Sequence, residues 1–449
     1  MFGRLKTAIL GAVVVCAALV PLFGDPRQTP VTHPIWGRML LRALDMQDAI
    51  RESTQASQVF ATLSWRDSLS LPGDRFAKGD GVAVKDDAGV RRVVAGTTPG
   101  EVVYPVAVVQ GGDYQFRVRM AGDPGRPATA EVSPYRGGRA YKTFTFSPAL
   151  QGDWLPGGVA HLDPGSYKTE ILLPPGSSLE RLEVAPRCAA SVEPVGGWHP
   201  TAITTVEDVA VTSLRALDLE SELPPADTPL EISASEFEVD EYLNEPAREP
   251  GFAGEALRAG GKGLRGMVSV TLPEAGLYTV SAFGSDGSGA RWTADGCRKA
   301  VVCPSSRTGW RVVMSQPMSA GRHTIAVVLG DGAIVERVRI ERKKDGAPDY
   351  LATLRRLGFD PGPDGPVSRA KATDAIDFLR DKNRDRVAGL CGDPTLPEFQ
   401  VTPTPQVAVL AAGGPAQVGL DGPGGPGGSD VLGPSLLPPQ EPASPTSPN

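Results

Sequence analysis

The sequence predicts a mainly β protein: two tandem β-sandwich domains of the jelly-roll type, with connecting helices, a C-terminal helical hairpin and a disordered tail. Two observations carry this prediction. Short segments in which apolar and polar residues alternate are separated by Gly, Pro, Asp and Ser clusters, without the strand-then-long-helix rhythm of a parallel α/β sheet. In addition, the middle of the chain repeats itself, with a unit of about 150 residues.

The repeat consists of matching segments in one order. Residues 41–45 (LRALD) recur letter for letter as residues 214–218. Further along, Trp154 and Trp310 each lie eleven residues before a glycine that begins the next alternating segment. Because the order and spacing are kept, we expect both copies to share a fold, and we expect the two shared tryptophans to lie in the cores.

In chain order, the pattern predicts seven segments. They are a signal peptide or N-terminal anchor at 1–24, a helix at 35–60, the first β-sandwich at 61–190, a helical linker at 200–225, the second β-sandwich at 226–345, a helical hairpin at 348–390 and a disordered tail at 392–449. The tail is rich in Pro, Gly, Ser and Thr, so it buries too little surface to offset its ordering entropy.

The N-terminus is typical of an export signal. Arg4 and Lys6 precede an uncharged apolar run over residues 8–23, which is shorter than the roughly 20 residues that a membrane-spanning helix needs. We therefore expect an exported protein of the periplasm or cell surface. No clean cleavage site follows, which leaves an uncleaved membrane anchor as an alternative. Lipidation at Cys16 is disfavoured, since Val15 stands where the lipidation signal needs a small residue.

Charge and motifs argue against several functional classes. The net charge is −7 and no block is dense in Lys or Arg, so we expect no nucleic-acid partner. The four histidines are scattered without metal-ligand spacing, and no nucleophile elbow or phosphate-binding loop is present. The sequence therefore predicts a protein that is not an enzyme and has no cofactor or catalytic metal.

A family resemblance follows from the second copy. Residues 272–280 (LPEAGLYTV), Trp310 and residues 319–325 (SAGRHTI) together resemble the jelly-roll carbohydrate-binding modules of the galactose-binding-like superfamily. The resemblance covers residues 230–343 well and residues 64–186 more loosely. It implies a β-sandwich fold and a carbohydrate ligand.

The repeat also suggests a ligand-binding position. Trp292 lies on a strand whose counterpart in the first copy, residues 128–131, has no aromatic residue. An exposed indole stacks on the apolar face of a sugar ring, while Arg291 and Asp295 are placed to bind its hydroxyl groups. The alternative, which we favour, is that Trp292 fills space in the second core.

The family resemblance further implies a structural calcium ion near the first strand of the module. Glu231 and Glu236 occupy that region of the second copy. Only their position in the pattern supports this calcium site.

The cysteines suggest a disulfide bond. Apart from Cys16, the chain contains Cys188, Cys297, Cys303 and Cys391. In an exported protein such a set forms disulfides, and the short separation of Cys297 from Cys303 suggests that these two join. The alternative is that all four are buried thiols.

The C-terminal hairpin has a second, weaker resemblance. Residues 354–365 (LRRLGFDPGPDG) resemble the central motif of small helical peptidoglycan-binding domains. The match ends at Pro366 and Val367, where that family has an aromatic residue followed by Gly. We therefore prefer a plain helical hairpin docked on the second sandwich.

Together these features predict an exported, non-catalytic binding protein of the cell envelope, with a carbohydrate or cell-wall glycan as ligand. The alternative is a structural or scaffolding subunit whose sandwiches pack against envelope proteins. Exposed aromatic residues with polar neighbours on a sandwich would favour glycan binding, whereas a broad apolar patch would favour protein assembly.

Overall fold

The computed structural model describes residues 27–46, 56–65, 68–87, 89–138, 140–187, 191–239, 246–261, 263–285, 287, 289–297 and 307–390. The expected signal or anchor at 1–24 and the expected tail at 392–449 lie outside these residues. Of the cysteines, only Cys297 falls within them. None of the helices in the described ranges combines the length and apolar character that a membrane crossing requires.

The first copy forms two antiparallel sheets with one core between them. Its strands are β1 (Leu69–Pro72), β2 (Lys78–Asp80), β3 (Val82–Asp87), β4 (Val90–Ala95), β5 (Gly100–Val108), β6 (Gly112–Ala121), β7 (Ala128–Pro134), β8 (Lys142–Phe146), β9 (Asp153–Leu162), β10 (Gly165–Leu173) and β11 (Ser178–Pro186). One sheet has the order β3-β4-β11-β6-β9, with β1 also paired to β11, and the other has the order β2-β5-β10-β7-β8. Tyr104, Phe116 and Phe146 fill the space between them.

The second copy has a matching arrangement. Its strands are β12 (Leu230–Ser233), β13 (Glu238–Val239), β14 (Ala247–Arg248), β15 (Glu255–Arg258), β16 (Leu264–Leu272), β17 (Gly276–Ser285), β18 (Ala290–Ala294), β19 (Gly309–Met318), β20 (Gly321–Leu329) and β21 (Ile334–Arg342). One sheet has the order β14-β15-β21-β17-β19, with β12 also paired to β21, and the other has the order β13-β16-β20-β18.

The two strand orders confirm the duplication and the predicted mainly β fold. Strands β5, β6, β9, β10 and β11 correspond to β16, β17, β19, β20 and β21 in sheet position. Details match as well, because the hydroxyl groups of Tyr114 and Tyr278 each donate to the carbonyl oxygen four residues earlier, at 2.6 and 2.8 Å. Each tyrosine thereby fixes the turn that leads into its strand.

Within the described residues, five α-helices accompany the sandwiches: α1 (His33–Ala43), α2 (Ala56–Leu63), α3 (Val206–Ala216), α4 (Ala347–Arg356) and α5 (Arg369–Gly389). The LRALD repeat ends α1 and α3 in the same way. Asp45 and Asp218 adopt left-handed φ angles of 58° and 54° just after the two helices. In both, the next amide bonds back to a leucine carbonyl five residues earlier, the Schellman pattern that closes a helix.

The helices share one apolar core, which contains Trp36 of α1, Leu214 of α3, Leu354 of α4 and Leu379 of α5. Helix α4 packs on α3, whereas α5 packs mainly on α1. The hairpin expected at 348–390 is thus present as two helices, but they join α1 and α3 in a bundle instead of docking as a unit on the second sandwich. The sequence pattern of a single segment does not predict this bundle, because its helices come from distant parts of the chain.

The bundle also contacts both sandwiches. Ala107 and Val109, at the end of β5, and Leu277, at the start of β17, belong to the helical core. A polar contact accompanies them, since the Gln110 side-chain amide donates to the Arg215 carbonyl oxygen at 3.1 Å. The helical core therefore includes residues of both sandwiches.

Candidate functional site

The expected ligand-binding tryptophan is buried. Trp292 is 6% exposed and belongs to the core of the second sandwich, where it lies opposite Val327. Strand β18 alternates, so Trp292 and Ala294 face inward while Arg291 faces the other side. The indole of Trp292 is therefore not exposed, as a sugar-stacking role would require. Trp292 is a core residue, which is the alternative that the sequence also suggested.

Asp295, the third residue of that predicted group, stabilises a turn. Its carboxylate lies 2.6 Å from Nδ1 of His323 and accepts the Thr324 amide at 2.9 Å. Its φ of 52° is left-handed, and these two bonds hold it there. The structure therefore does not bring Trp292, Arg291 and Asp295 together on one surface.

Trp154 and Trp310, expected in the cores, lie instead on the outer faces of their sheets. Trp154 is 37% exposed and Trp310 is half-buried. A β-bulge follows each tryptophan in its strand. On β9 the extra residue is Gly157, between the partners of Phe116 and Arg117, and on β19 it is Val313, between the partners of Val280 and Ser281. A bulge inserts one residue and reverses which side chains face the core, so both indoles turn outward.

Each tryptophan ends a row of three residues that crosses three strands. In the second copy the row is Arg337 on β21, Phe283 on β17 and Trp310 on β19, which are direct register partners. In the first copy the corresponding row is Arg181, Arg119 and Trp154. The two rows share their ends and differ at the centre. Because packing inside the sandwich does not require these outer residues, the rows are candidates for ligand contact.

The row of the second copy is enlarged by further aromatic and charged groups. We call the set formed by Phe252, Phe283, Trp310, Arg337, Arg339 and Glu231 the Trp310 face. The ring centres of Phe283 and Trp310 are 5.5 Å apart, and Phe252 meets Phe283 edge-on at 6.1 Å. All three rings are half-buried, so each keeps part of its surface open to solvent.

Two guanidinium groups cover part of these rings. The guanidinium carbon of Arg339 lies 4.2 Å from the Trp310 ring centre, and that of Arg337 lies 5.5 Å from the Phe283 ring centre. Cation–π contacts of this kind contribute about 0.5 to 1 kcal/mol each at exposed sites. They limit the motion of the rings and so reduce the entropy cost of binding a ligand there.

Glu231 links the two arginines. Its carboxylate accepts from Arg339 at 2.7 Å and lies 3.6 Å from Arg337, and its side chain is 41% exposed. Glu236, the other expected calcium ligand, accepts the Ser233 amide at 2.9 Å and caps a helical turn. Among the described residues no group of three or more His, Cys, Asp or Glu side chains is arranged to hold a metal ion. Glu231 thus belongs to the arginine cluster and not to a carboxylate cluster.

Part of this site was open to prediction from the sequence. Tyr278, Val280 and Ala282 alternate inward, so the same alternation places Phe283 on the outer side of β17. Phe283 is also unrepeated, since Arg119 occupies its position in the first copy. The bulges were the missing information, because they decide the side on which Trp310 emerges.

A cleft of about 380 Å³ lies elsewhere, at one end of the first sandwich. It is lined by Gly122, Asp123, Leu150, Pro175 and residues close to them. The Asp123 carboxylate already accepts the Gly125 amide at 2.9 Å. With no aromatic side chain in its lining, this cleft offers less to a sugar ring than the Trp310 face does.

Cys297 lies at the turn after β18, where its Sγ is 3.9 Å from the Arg187 carbonyl oxygen. The expected partner, Cys303, lies outside the described residues, so the disulfide between them stays a prediction.

No protein-family model matches the sequence, and no curated protein is similar to it. Solved structures do match. The C-terminal family 6 carbohydrate-binding module of LamC, a marine laminarinase from Zobellia galactanivorans, is 13% identical, with a TM-score of 0.23, over 26% of this chain and 98% of that chain.

Two further matches have the same extent. A carbohydrate-binding module from Cellvibrio mixtus lichenase 5A, solved with cellotriose, is 17% identical over 26% of this chain and 95% of that chain, with a TM-score of 0.23. A family 35 carbohydrate-binding module from Clostridium thermocellum is 16% identical over 26% and 96%, also with a TM-score of 0.23. These neighbours are of the class that the second copy resembles in sequence. The fold of the present chain is established by its own strand order and register.

Proposed function

We propose that this protein is an exported, non-catalytic binding protein of the cell envelope and that it binds a glycan on the Trp310 face. The observation that carries the proposal is the set of three half-buried aromatic rings, Phe252, Phe283 and Trp310, on the outer side of a sheet beside charged hydrogen-bonding groups. Aromatic rings next to a few placed polar groups are what a sugar ring requires.

The chemistry of the face suits a neutral sugar chain. The apolar side of a pyranose ring stacks on an indole, and its hydroxyl groups both donate and accept hydrogen bonds. Arg337 and Arg339 supply hydrogen-bond donors and Glu231 supplies an acceptor. More than one-third of each of these side chains is exposed to solvent. Glu231 pairs with both arginines and the buried Glu336 lies 3.4 Å from Arg337, so two carboxylates balance the two guanidinium groups and little net charge is left to favour an anion.

The location rests on the N-terminal sequence. The basic and then apolar segment at 1–24 supports export to the periplasm or cell surface, and an uncleaved segment would be the only membrane contact. The neighbouring solved structures are binding modules, and the glycan-rich envelope fits such a ligand.

A structural role in an envelope protein assembly is the second candidate. Val195 and Ile203, beside the helical bundle, are 60% and 49% exposed, and apolar side chains of this kind occur at protein interfaces. Co-purification with envelope proteins that is lost on Ile203→Ser would support this role over glycan binding.

Affinity electrophoresis in gels that contain soluble neutral polysaccharides or purified cell-wall glycan tests the proposal. The expected result is retardation of the wild-type protein by at least one of these glycans, with binding weakened about 10-fold or more in Trp310→Ala, since a central aromatic contact contributes about 2 kcal/mol. Tyr141→Ala is the matched control, because Tyr141 is a 45% exposed aromatic residue of the first sandwich. Equal retardation of wild type and Trp310→Ala, or no retardation of wild type by any glycan, would contradict glycan binding on this face.

A further inference from the structure

The first sandwich presents a different surface at the equivalent position. We call the set formed by Trp154, Arg92, Arg117, Arg119 and Arg181, with Glu180 and Glu183 beneath, the Trp154 face. The guanidinium carbon of Arg117 lies 4.6 Å from the Trp154 ring centre. This face thus combines an exposed indole with four arginines on neighbouring strands.

Two of these arginines oppose each other directly. Arg181 of β11 and Arg119 of β6 are register partners, and like charges in this arrangement are destabilising. Arg119 has Glu180 at 3.1 Å, a carboxylate that it shares with Arg92 at 3.7 Å. Arg181 bonds to the Ser70 hydroxyl at 2.8 Å, and no carboxylate of the described residues lies within ion-pair distance of it. The face therefore holds more positive than negative groups.

Of the carboxylates that pair with these arginines, the two glutamates are the buried ones, whereas Asp87, 3.5 Å from Arg92, has a 73% exposed side chain. The side chains of Glu180 and Glu183 are 13% and 8% exposed, whereas those of Arg119 and Arg117 are 45% and 47% exposed. Burial, the largest influence, raises the pKa of Glu183, but hydrogen bonds from Arg117 and Ser68 outweigh it and leave that pKa lowered. Glu183 consequently stays ionised and holds Arg117 in place. A ligand that approaches from solvent meets the guanidinium groups first.

We propose that the Trp154 face is a second carbohydrate site, and that it takes an acidic polysaccharide whose sugars carry carboxylate groups. This inference rests on the proposed glycan-binding function and assigns a different ligand chemistry to the first sandwich. The row Arg181, Arg119 and Trp154 crosses three strands, a span of about 10 Å. It matches two consecutive sugar rings, one stacked on the indole and one with its carboxylate on the arginines.

Charge complementarity and the indole together select this ligand class. Arginine binds carboxylates through two parallel hydrogen bonds, which a neutral hydroxyl does not match. The second copy has Phe283 where the first has Arg119, so the same row contains one arginine fewer there, and the remaining Arg337 pairs with Glu231 and Glu336. The whole chain carries a net charge of −7 and repels polyanions at long range, so recognition depends on these close contacts.

Arg119→Gln/Arg181→Gln is the variant that tests the inference. It leaves Arg92 with Glu180 and Arg117 with Glu183, so no buried carboxylate loses every partner. The charge-matched control is Arg126→Gln/Arg258→Gln, which removes two exposed arginines that pair with Asp123 and Glu249 outside the face. A second test variant, Arg119→Phe, reproduces the row of the second copy.

The measurement is isothermal titration of the full chain with polygalacturonate and with neutral galactan at low ionic strength. The wild-type protein should bind polygalacturonate, and both test variants should bind it about 10-fold or more weakly, while the control variant stays within about 2-fold of wild type. Raising the salt concentration should weaken this binding and leave neutral-glycan binding on the Trp310 face nearly unchanged.

The outcomes separate the two proposals. Neutral-glycan binding without any polygalacturonate binding would overturn the inference and leave the proposed function standing. Absence of both, together with no retardation by any glycan in the affinity gels, would overturn both. Equal loss of polygalacturonate binding in the test and control variants, or equally tight binding of poly-glutamate by the wild-type protein, would show a general anion effect and would also overturn the inference.

Discussion

At the residue scale, His323 shows how one side chain fixes a turn in the second sandwich. Its Nδ1 lies 2.6 Å from the Asp295 carboxylate and its Nε2 lies 2.8 Å from the Ser319 carbonyl oxygen. Both partners accept hydrogen bonds, so each ring nitrogen is best satisfied as a donor, and that requires the doubly protonated imidazolium. In the first sandwich the corresponding residue is Tyr167, whose hydroxyl donates to the Asp163 carbonyl oxygen at 2.8 Å.

The stability of the second sandwich should therefore depend on pH. Burial, the largest influence, lowers the pKa of His323, but the bonds to Asp295 and Ser319 outweigh it and raise that pKa above its ordinary 6.5. A raised pKa in the folded state gives stability that is fully present below about pH 6.5 and is lost as the pH rises through the folded-state value. We expect His323→Gln to lower the unfolding free energy by about 1 to 2 kcal/mol at pH 5.5, and by less at pH 8.5.

Urea unfolding at the two pH values measures this difference. Tyr167→Phe is the control, since the tyrosine hydroxyl does not titrate in this range and its loss should cost the same at both values. A His323→Gln penalty that does not change with pH would show that the ring is neutral in the folded protein.

At the element scale, the β-bulges of β9 and β19 limit what the sequence predicts. The alternation of apolar and polar residues predicts the strands, and the repeat predicts which strands of the two copies are equivalent. The LRALD segments mark the ends of two helices, at Asp45 and Asp218. In β19, Met314 faces the core, and regular alternation from Met314 back to Trp310 would place Trp310 in the core as well. The bulge between them turns Trp310 to the outer face. The bundle of α1, α3, α4 and α5 was likewise beyond prediction, because its contacts join residues far apart in the chain.

The bulge of the first sandwich provides a stability prediction. A Cβ atom at Gly157 would lie 2.7 Å from the Phe146 ring, a buried side chain with little room to move. We expect Gly157→Ala to lower the unfolding free energy by about 1 to 3 kcal/mol through overpacking. Gly152→Ala is the control, since its nearest neighbour would be the Ala121 Cβ at 3.9 Å, an ordinary contact. Equal denaturation midpoints for the two variants would contradict close packing at this bulge.

At the scale of the whole molecule, the helical bundle is joined to the first sandwich by polar contacts as well as apolar ones. The Tyr350 hydroxyl of α4 donates to Glu220 at 2.7 Å, and Arg215 of α3 lies 3.4 Å from the same carboxylate oxygen. Arg215 also receives, at its carbonyl oxygen, the bond from Gln110 of the first sandwich. A series of polar contacts thus joins the first sandwich to α3 and α4 of the bundle.

Tyr350→Phe should destabilise the molecule as a unit. Removing the hydroxyl deprives the 6% exposed Glu220 of a bond, and we expect a loss of about 1 to 3 kcal/mol, whereas Tyr141→Phe, at an exposed position, should change little. Differential scanning calorimetry should show one transition that moves as a whole. A variant in which only part of the unfolding transition moves would indicate that the bundle does not couple the sandwiches.

The central claim, that glycan binds on the Trp310 face, is tested most directly by hydroxyl-radical footprinting with mass-spectrometric readout, with and without a neutral glycan that retards the protein. Trp310 and Phe283 are half-buried in the free protein and so should be oxidised at a measurable rate. We expect the glycan to protect both residues about 3-fold or more, as in a contact that excludes water, while Trp154 reacts equally in both samples. Unchanged oxidation of Trp310 in the presence of saturating glycan would contradict the claim.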